Sequence, residues 1–134
     1  MIKIKDDVVP NIQETIELFK SVGWGHTDCP EALNQAILNS DLVITAWNND
    51  KLIGIGRAIS DKSLSVYFPD LLIHPDWQKQ GIGTQIIGRL LNKYSQFHNQ
   101  VLVAEDKIAQ NFYKKNGFKD EESALSITKS FPPE

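Results

Sequence analysis

The chain opens on Ile2 and Ile4 alternating with lysines, the two-residue period of a short strand. Behind Pro10 the period lengthens. Ile12, Ile16 and Phe19 recur at helical spacing and predict one amphipathic helix. Gly23 and Gly25 interrupt the pattern around Trp24, and residues 30–39 predict a second helix with Leu33, Ala36 and Ile37 on one face. The period then shortens again. Residues 42–47 form an apolar, β-branched run, Asn48-Asn49-Asp50 has turn chemistry, and residues 52–56 resume the run as the second arm of a hairpin. After the turn at Asp61-Lys62-Ser63, residues 64–73 predict a further strand that ends at His74-Pro75. Gly81-Ile82-Gly83 leads into a helical stripe of Ile86, Ile87, Leu90 and Leu91. Residues 101–104 read as a short buried strand, residues 109–116 as a helix stopped by Gly117, and residues 124–130 as an edge strand. The order β-α-α-β-β-β-α-β-α-β describes a single mixed α/β domain over residues 1–134, with an antiparallel meander followed by a crossover helix.

Composition narrows what such a domain does. Of the 134 residues, 41% are hydrophobic and 23% charged, so the chain can bury a core. The net charge of −3 lacks the basic excess of a general nucleic-acid-binding surface. No apolar run approaches the ~20 residues of a membrane helix, and the first residues lack a signal-peptide core. A soluble, cytoplasmic protein is expected. The single Cys29 cannot close an intramolecular disulfide and reads as a packing residue rather than a nucleophile. His26, His74 and His98 have no metal-like spacing, so no metal is expected.

The chemistry concentrates after the third strand of the meander. Leu71-Leu72-Ile73 ends that strand, His74-Pro75 turns, and Gln78-Lys79-Gln80-Gly81-Ile82-Gly83-Thr84 opens a helix. The first N–H groups of a helix lack internal partners, the macrodipole adds positive character, and glycines admit a ligand to the bare backbone. Such a turn suits a phosphate. It is not a Walker loop, because Gly83 is followed by Thr84-Gln85 rather than Lys-Ser/Thr. It is not a dinucleotide fingerprint, because Ile86 stands where a third Gly or Ala is needed. Two glycines can also merely shape a loop and a close helix contact.

Gln78-x-x-Gly81-x-Gly83 resembles the acyl-CoA pyrophosphate-binding motif of the GNAT N-acetyltransferases. At the expected distance, Ala109-Gln110-Asn111-Phe112-Tyr113-Lys114-Lys115-Asn116-Gly117-Phe118 resembles that family's second helical motif. The resemblance covers essentially the whole chain. It implies a GNAT-like fold, in which helices flank a central, twisted, mostly antiparallel sheet. It also implies an acetyl-CoA-dependent transfer to a primary amine of a small molecule or peptide, by direct attack in a ternary complex. Acetyl-CoA (coenzyme A) is the implied cosubstrate, with no metal. The alternative is a domain that binds acyl-CoA as a sensor without turnover. Gln78 stands where the family prefers Arg, and Asp106 where it often has Asn, although an Asp there also suits a helix cap. Ser21-Val22-Gly23-Trp24, residues 51–61 and Asp70-Leu71-Leu72-Ile73 look like the branch containing chloroplast and cyanobacterial arylalkylamine N-acetyltransferases.

The resemblance assigns roles by position. Pyrophosphate goes to the backbone from Lys79 to Thr84, pantetheine lies along Leu71, Leu72 and Ile73, and Asp106, Asn111 and Phe112 join the cofactor site. A backbone N–H near Leu72 or Ile73 polarises the thioester. Tyr113 is the expected acid for the leaving thiolate, or else a packed aromatic whose hydroxyl only binds the cofactor. Asp70 is the best candidate base, or else a binder of the substrate ammonium or a strand cap. Arg57 and Asp61, with Asp28 and Glu31, either recognise a charged acceptor or form a solvated face. Trp24 lines an acceptor pocket or, more in keeping with buried aromatics, covers the core. A homodimer is expected from the resemblance alone, and the acceptor amine stays open.

Overall fold

The computed structural model of the chain describes residues 1–129. Its elements are β1 (Ile2–Lys5), α1 (Ile12–Ser21), α2 (Pro30–Leu38), β2 (Leu42–Asn48), β3 (Lys51–Ser60), β4 (Ser65–Tyr67), β5 (Leu71–Ile73), α3 (Ile82–Lys93), β6 (Asn99–Val101) and α4 (Lys107–Lys115). β1, β2 and β3 pair antiparallel, and β4 and β5 both pair antiparallel with β3, at different places along it. β6 joins the far side of β4 in parallel. The result is the mixed α/β architecture with a mostly antiparallel sheet that the sequence predicts.

The elements start and stop for local reasons. Asn11 begins α1 with a capping box: its Oδ1 accepts the Glu14 N–H at 2.8 Å, while Glu14 Oε1 accepts the Asn11 N–H at 3.2 Å. Pro30 sits in the first turn of α2, where its missing N–H costs nothing. Asn49, at φ +53°, closes the β2–β3 hairpin. β2 and β3 are buried on both faces, so they read as continuous apolar runs. One face packs Ile44, Ile53, Val66 and Phe68 against Ile82, Ile86, Ile87 and Leu90 of α3. The other packs Val43, Trp47, Leu52, Ile55 and Leu72 against Leu18 and Phe19 of α1 and Leu33 and Ile37 of α2. α3 lies close on β3: a Cβ at Gly56 would stand 2.6 Å from Ile86 Cγ2, and one at Gly54 2.8 Å from Ile73 Cδ1.

Three expectations change. The strand predicted over 64–73 is two strands, β4 and β5, because Pro69 lacks an N–H to continue a ladder. The strand predicted over 101–104 is instead β6 at Asn99–Val101. Its parallel pairing with β4 ends at Tyr67↔Val101 and the Phe68 N–H bond to the Val101 carbonyl. Beyond that point residues 102–104 and β5 follow separate courses. Residues 124–129 form no strand and are exposed, while Ser130 lies outside the described residues.

Candidate active site

The break at Pro69 creates the site. β5 pairs with β3 along one edge only. The Arg57 N–H donates to the Asp70 carbonyl at 3.1 Å and the His74 N–H to the Ile53 carbonyl at 2.8 Å. These bonds fix the antiparallel alternation: Asp70, Leu72 and His74 turn their backbone groups toward β3, and Leu71 and Ile73 turn theirs away. The Leu72 side chain is also buried in the α1–α2 face of the core. A ligand lying along β5 therefore meets the backbone of Leu71 and Ile73, not that of Leu72.

The outward edge leads directly to the glycine turn. Gln78 Nε2 donates to the Ile73 carbonyl at 2.9 Å, tying the loop back to the end of β5. The His74 Nδ1 accepts the Asp76 N–H at 3.1 Å and shapes the short 3₁₀ turn between them. Lys79 is then held at φ +63° and Gly81 at φ +81°. A non-glycine residue in that region is uncommon and costs of order 1–3 kcal/mol, a strain that clusters at ligand clamps. Gly81 is the N-cap of α3. It offers no side-chain cap, and no acidic residue stands in the first turn. The Gln85 N–H is the first to bond back, to the Gly81 carbonyl at 3.1 Å. The N–H groups of Ile82, Gly83 and Thr84 precede it without an intrahelical partner. Nothing lies within 4 Å of the place a Cβ at Gly81 would occupy. This is an open cradle for an anion, and Lys79 and Gln80 are exposed beside it.

Gly83 has a different task. A Cβ there would stand 3.3 Å from Cζ of Phe112, so the glycine lets α3 and α4 approach. α4 is itself capped by Asp106, whose Oδ1 accepts the Ala109 N–H at 2.8 Å. Its Gln110 donates to the Ala104 carbonyl at 3.2 Å, and Asn111 is exposed. Tyr113 stacks edge-on with Phe112 at 5.2 Å and with Phe118 at 5.7 Å. Its hydroxyl has no hydrogen-bond partner among the described residues. Burial, helped by the Asp70 charge, pushes the Tyr113 phenol up to about 12, so it holds its proton firmly.

A profile of the acetyltransferase (GNAT) domain matches residues 14–126. The chain belongs to the GNAT acetyltransferase family. An uncharacterised N-acetyltransferase, ycf52 of Pyropia yezoensis, is 34% identical to this GNAT chain over 114 residues, covering 81% of the chain and 64% of that protein. The chain thus spans less than two thirds of that relative's length. The GNAT family protein SP0256 of Streptococcus pneumoniae TIGR4 superposes with a TM-score of 0.81 at 28% identity, over 97% of this chain and all of that one. Aminoglycoside acetyltransferase AAC(6')-Iy, solved with a bisubstrate analogue CoA-S-monomethyl-acetylneamine, shares the fold at a TM-score of 0.73 and 19% identity, covering 97% of this chain and 99% of that one.

Of the residues expected to meet the acceptor, this GNAT fold brings Arg57 and Asp70 together and sets Asp61 apart. Arg57 and Asp70 do form one unit. Arg57 Nε donates to Asp70 Oδ2 at 2.5 Å with both side chains buried, and an Arg57 Nη reaches Ser40 Oγ at 3.3 Å. A buried carboxylate already held by a guanidinium is poorly placed to take a proton from an ammonium. Asp61 lies four positions beyond Arg57, roughly 13 Å along the strand direction. There it accepts backbone N–H bonds from Ser65, Leu64 and Ser63, which lower its pKa and close the β3–β4 turn. Trp24 meets Phe19 edge-on at 5.6 Å and packs over the α1–α2 cluster. Cys29 is a half-buried N-cap of α2 that makes no side-chain cap bond. Sequence reasoning did not anticipate the roles of Ser40 and Gln110 or the strained Lys79. The last was the most accessible, since it precedes the glycines it serves. Among the described residues no three potential metal ligands gather, and no helix is long and apolar enough to cross a membrane.

Proposed function

We propose that the chain transfers an acetyl group from acetyl-CoA to a primary amine by direct attack in a ternary complex, and that it acts as a soluble, cytoplasmic enzyme. The observation that carries this reading is the continuity of the outward backbone edge of β5 with the uncapped start of α3. The site fits the cosubstrate by its own geometry. The open N–H groups of Ile82, Gly83 and Thr84, with Lys79, receive the pyrophosphate, and Leu71 and Ile73 receive the pantetheine amides. Bound acetyl-CoA supplies the activated acetyl thioester. The solved bisubstrate complex of AAC(6')-Iy supports CoA and an amine meeting on this fold.

The chain's own residues then divide the work. The Ile73 N–H, on the outward edge of β5, would donate to the thioester carbonyl oxygen as it gathers charge, and one such donor is worth about 3–4 kcal/mol in acyl transfer. The Tyr113 hydroxyl gives its proton to the departing sulfur. Asp70, fixed by Arg57, positions and charges the wall behind Tyr113 rather than acting as the base. A water relay takes the ammonium proton. One observation favours the second reading, an acyl-CoA sensor: Asp70 is the only buried carboxylate among the described residues, and it is engaged by Arg57.

Thiol release separates the two. Acetyl-CoA is mixed with the protein and a panel of polyamines, arylalkylamines, amino sugars and peptides. Release that needs both protein and one amine is expected. No release with any amine, while acetyl-CoA still raises the melting temperature, would leave the sensor.

A further inference from the structure

Ile59, Tyr67 and Val101 stand opposite one another across β3, β4 and β6. Cross-strand partners point to the same face of a sheet. Ile55 and Arg57 precede Ile59 on that face by strand alternation, and Ile55 is buried against α1 and α2. The three residues therefore form a stripe on the α1–α2 side, past the part of the sheet that the two helices cover. Ile59 is 43% exposed, Tyr67 42% and Val101 46%. The opposite face is closed, with Ala58 and Val66 buried in the cluster that contains α3. Neighbouring strands lie ~4.8 Å apart, so the stripe is roughly 10 Å across. Apolar side chains bare together on adjacent strands mark a binding surface, as scattered single ones do not.

The stripe is continuous with the candidate site. The β4–β6 ladder ends on it, at Tyr67↔Val101 and the Phe68 N–H bond to the Val101 carbonyl. Beyond that end the strands part, and Asp70 leads into β5. The uncapped start of α3 belongs to the opposite face, so an amine attacking a thioester held between the parted strands has the α1–α2 side open to it. Charge on that side is distinctive. None of β3, β4 and β6 carries a carboxylate. Asp70, at the border of the stripe, is engaged by Arg57, Asp61 by the backbone of its turn, and Asp41 by Ser60 and Lys62. A second positive charge on an acceptor would rest on an apolar surface with no carboxylate free to meet it, which is costly.

We propose that Ile59, Tyr67 and Val101 form the wall against which the body of the acceptor amine lies, and that this wall selects a monoamine with an uncharged, apolar body over a polycation. The selection rests on the reading of the chain as an acetyltransferase to primary amines. It adds the residues that meet the acceptor and the chemical class they admit. The amine nitrogen reaches the thioester beside β5 while the carbon chain behind it covers the Tyr67 ring and leaves water.

The test compares hexylamine with hexamethylenediamine, which have the same span and differ only in the charge at the far end. With acetyl-CoA and the full chain, kcat/KM for hexylamine is expected to exceed that for the diamine at least about 10-fold, chiefly through KM. Tyr67→Asp places a carboxylate on the stripe. It is expected to lower kcat/KM for hexylamine about 10-fold or more and move the preference toward the diamine, with acetyl-CoA affinity unchanged. Where Tyr67→Asp lowers the melting temperature, Ile59→Ser decides instead, with KM for hexylamine expected to rise about 3-fold or more. Equal use of both amines, a preference for the diamine, or an unchanged preference in the variants would overturn the wall and leave the transfer reading intact. Where no amine is acetylated, calorimetry of hexylamine against the CoA-loaded chain decides. Binding that Tyr67→Asp removes would keep the wall and sink the transfer reading, whereas absent binding would overturn the wall. A dimer that Tyr67→Asp dissociates, with amine kinetics unchanged, would make the stripe a contact between copies and overturn it as well.

Discussion

α3 and α4 approach each other at Gly83 and Phe112 and begin differently. α4 is closed by Asp106, whose carboxylate occupies the N–H of Ala109 and sets a negative charge on the helix start. α3 starts at a glycine in the left-handed region, with no cap and no acid in its first turn. An anion arriving at the cleft meets repulsion at one start and unsatisfied donors at the other. The contrast teaches that leaving a helix end unfinished is a choice the sequence makes locally. The same chain caps α1 doubly through Asn11 and Glu14. Asp106 thus serves as the cap that its place before the helix predicts.

The comparison can be attacked from four sides. The largest effect is expected on what α4 carries rather than how it starts. Tyr113→Phe should lower kcat by about 10²-fold or more, with KM for acetyl-CoA little changed, in steady-state assays. If kcat stays within twofold, Tyr113 is only a packed ring. Next, Gly81→Val puts a β-branched residue at φ +81° and fills the cradle. Acetyl-CoA affinity by calorimetry should fall about 10-fold or more, while the strain of ~1–3 kcal/mol appears as a lower melting temperature. Affinity equal to wild type would mean the anion binds elsewhere. Asp106→Ala should do the reverse: about 1 kcal/mol of stability lost by denaturant titration, with acetyl-CoA affinity held or improved. A large affinity loss would restore Asp106 to the cofactor site.

The smallest effect concerns pH. The Tyr113 phenol rises from an ordinary value of ~10 to about 12, because burial penalises its anion and Asp70 repels it. A raised pKa favours the protonated folded form. Its stabilising contribution is present below pH ~10 and is lost as pH climbs through about 12. Melting temperature followed across that window should therefore decline less steeply in Tyr113→Phe than in the wild type. Parallel curves would place the phenol in water.

What the sequence disclosed follows distance along the chain. The glycine turn and the Tyr113 helix are each written within about ten consecutive residues, so the torsions and the cap follow from neighbours. Pro69 was a local signal as well, and a strand drawn through it had to break. The orientation of Leu72 against Ile73 was hidden, because it depends on which β3 residues they face. The Arg57–Asp70 pair needed β3 and β5 in register before either side chain had a partner. The turn role of Asp61 was not legible, because a turn-forming carboxylate and a substrate-binding one have the same letter. The course of residues 124–129 depends on what lies beside them, which no periodicity records.

Gly54 and Gly56 set the tolerance of the whole site. A single methyl at either would intrude on Ile73, at the end of the β5 edge, or on Ile86, in the body of α3. The two surfaces that a CoA-sized ligand must bridge are thus gauged from one stretch of β3 backbone, by the thickness of a hydrogen atom. In the proposed binding mode, the spacing between the places of thioester and pyrophosphate is kept by two glycines that touch neither.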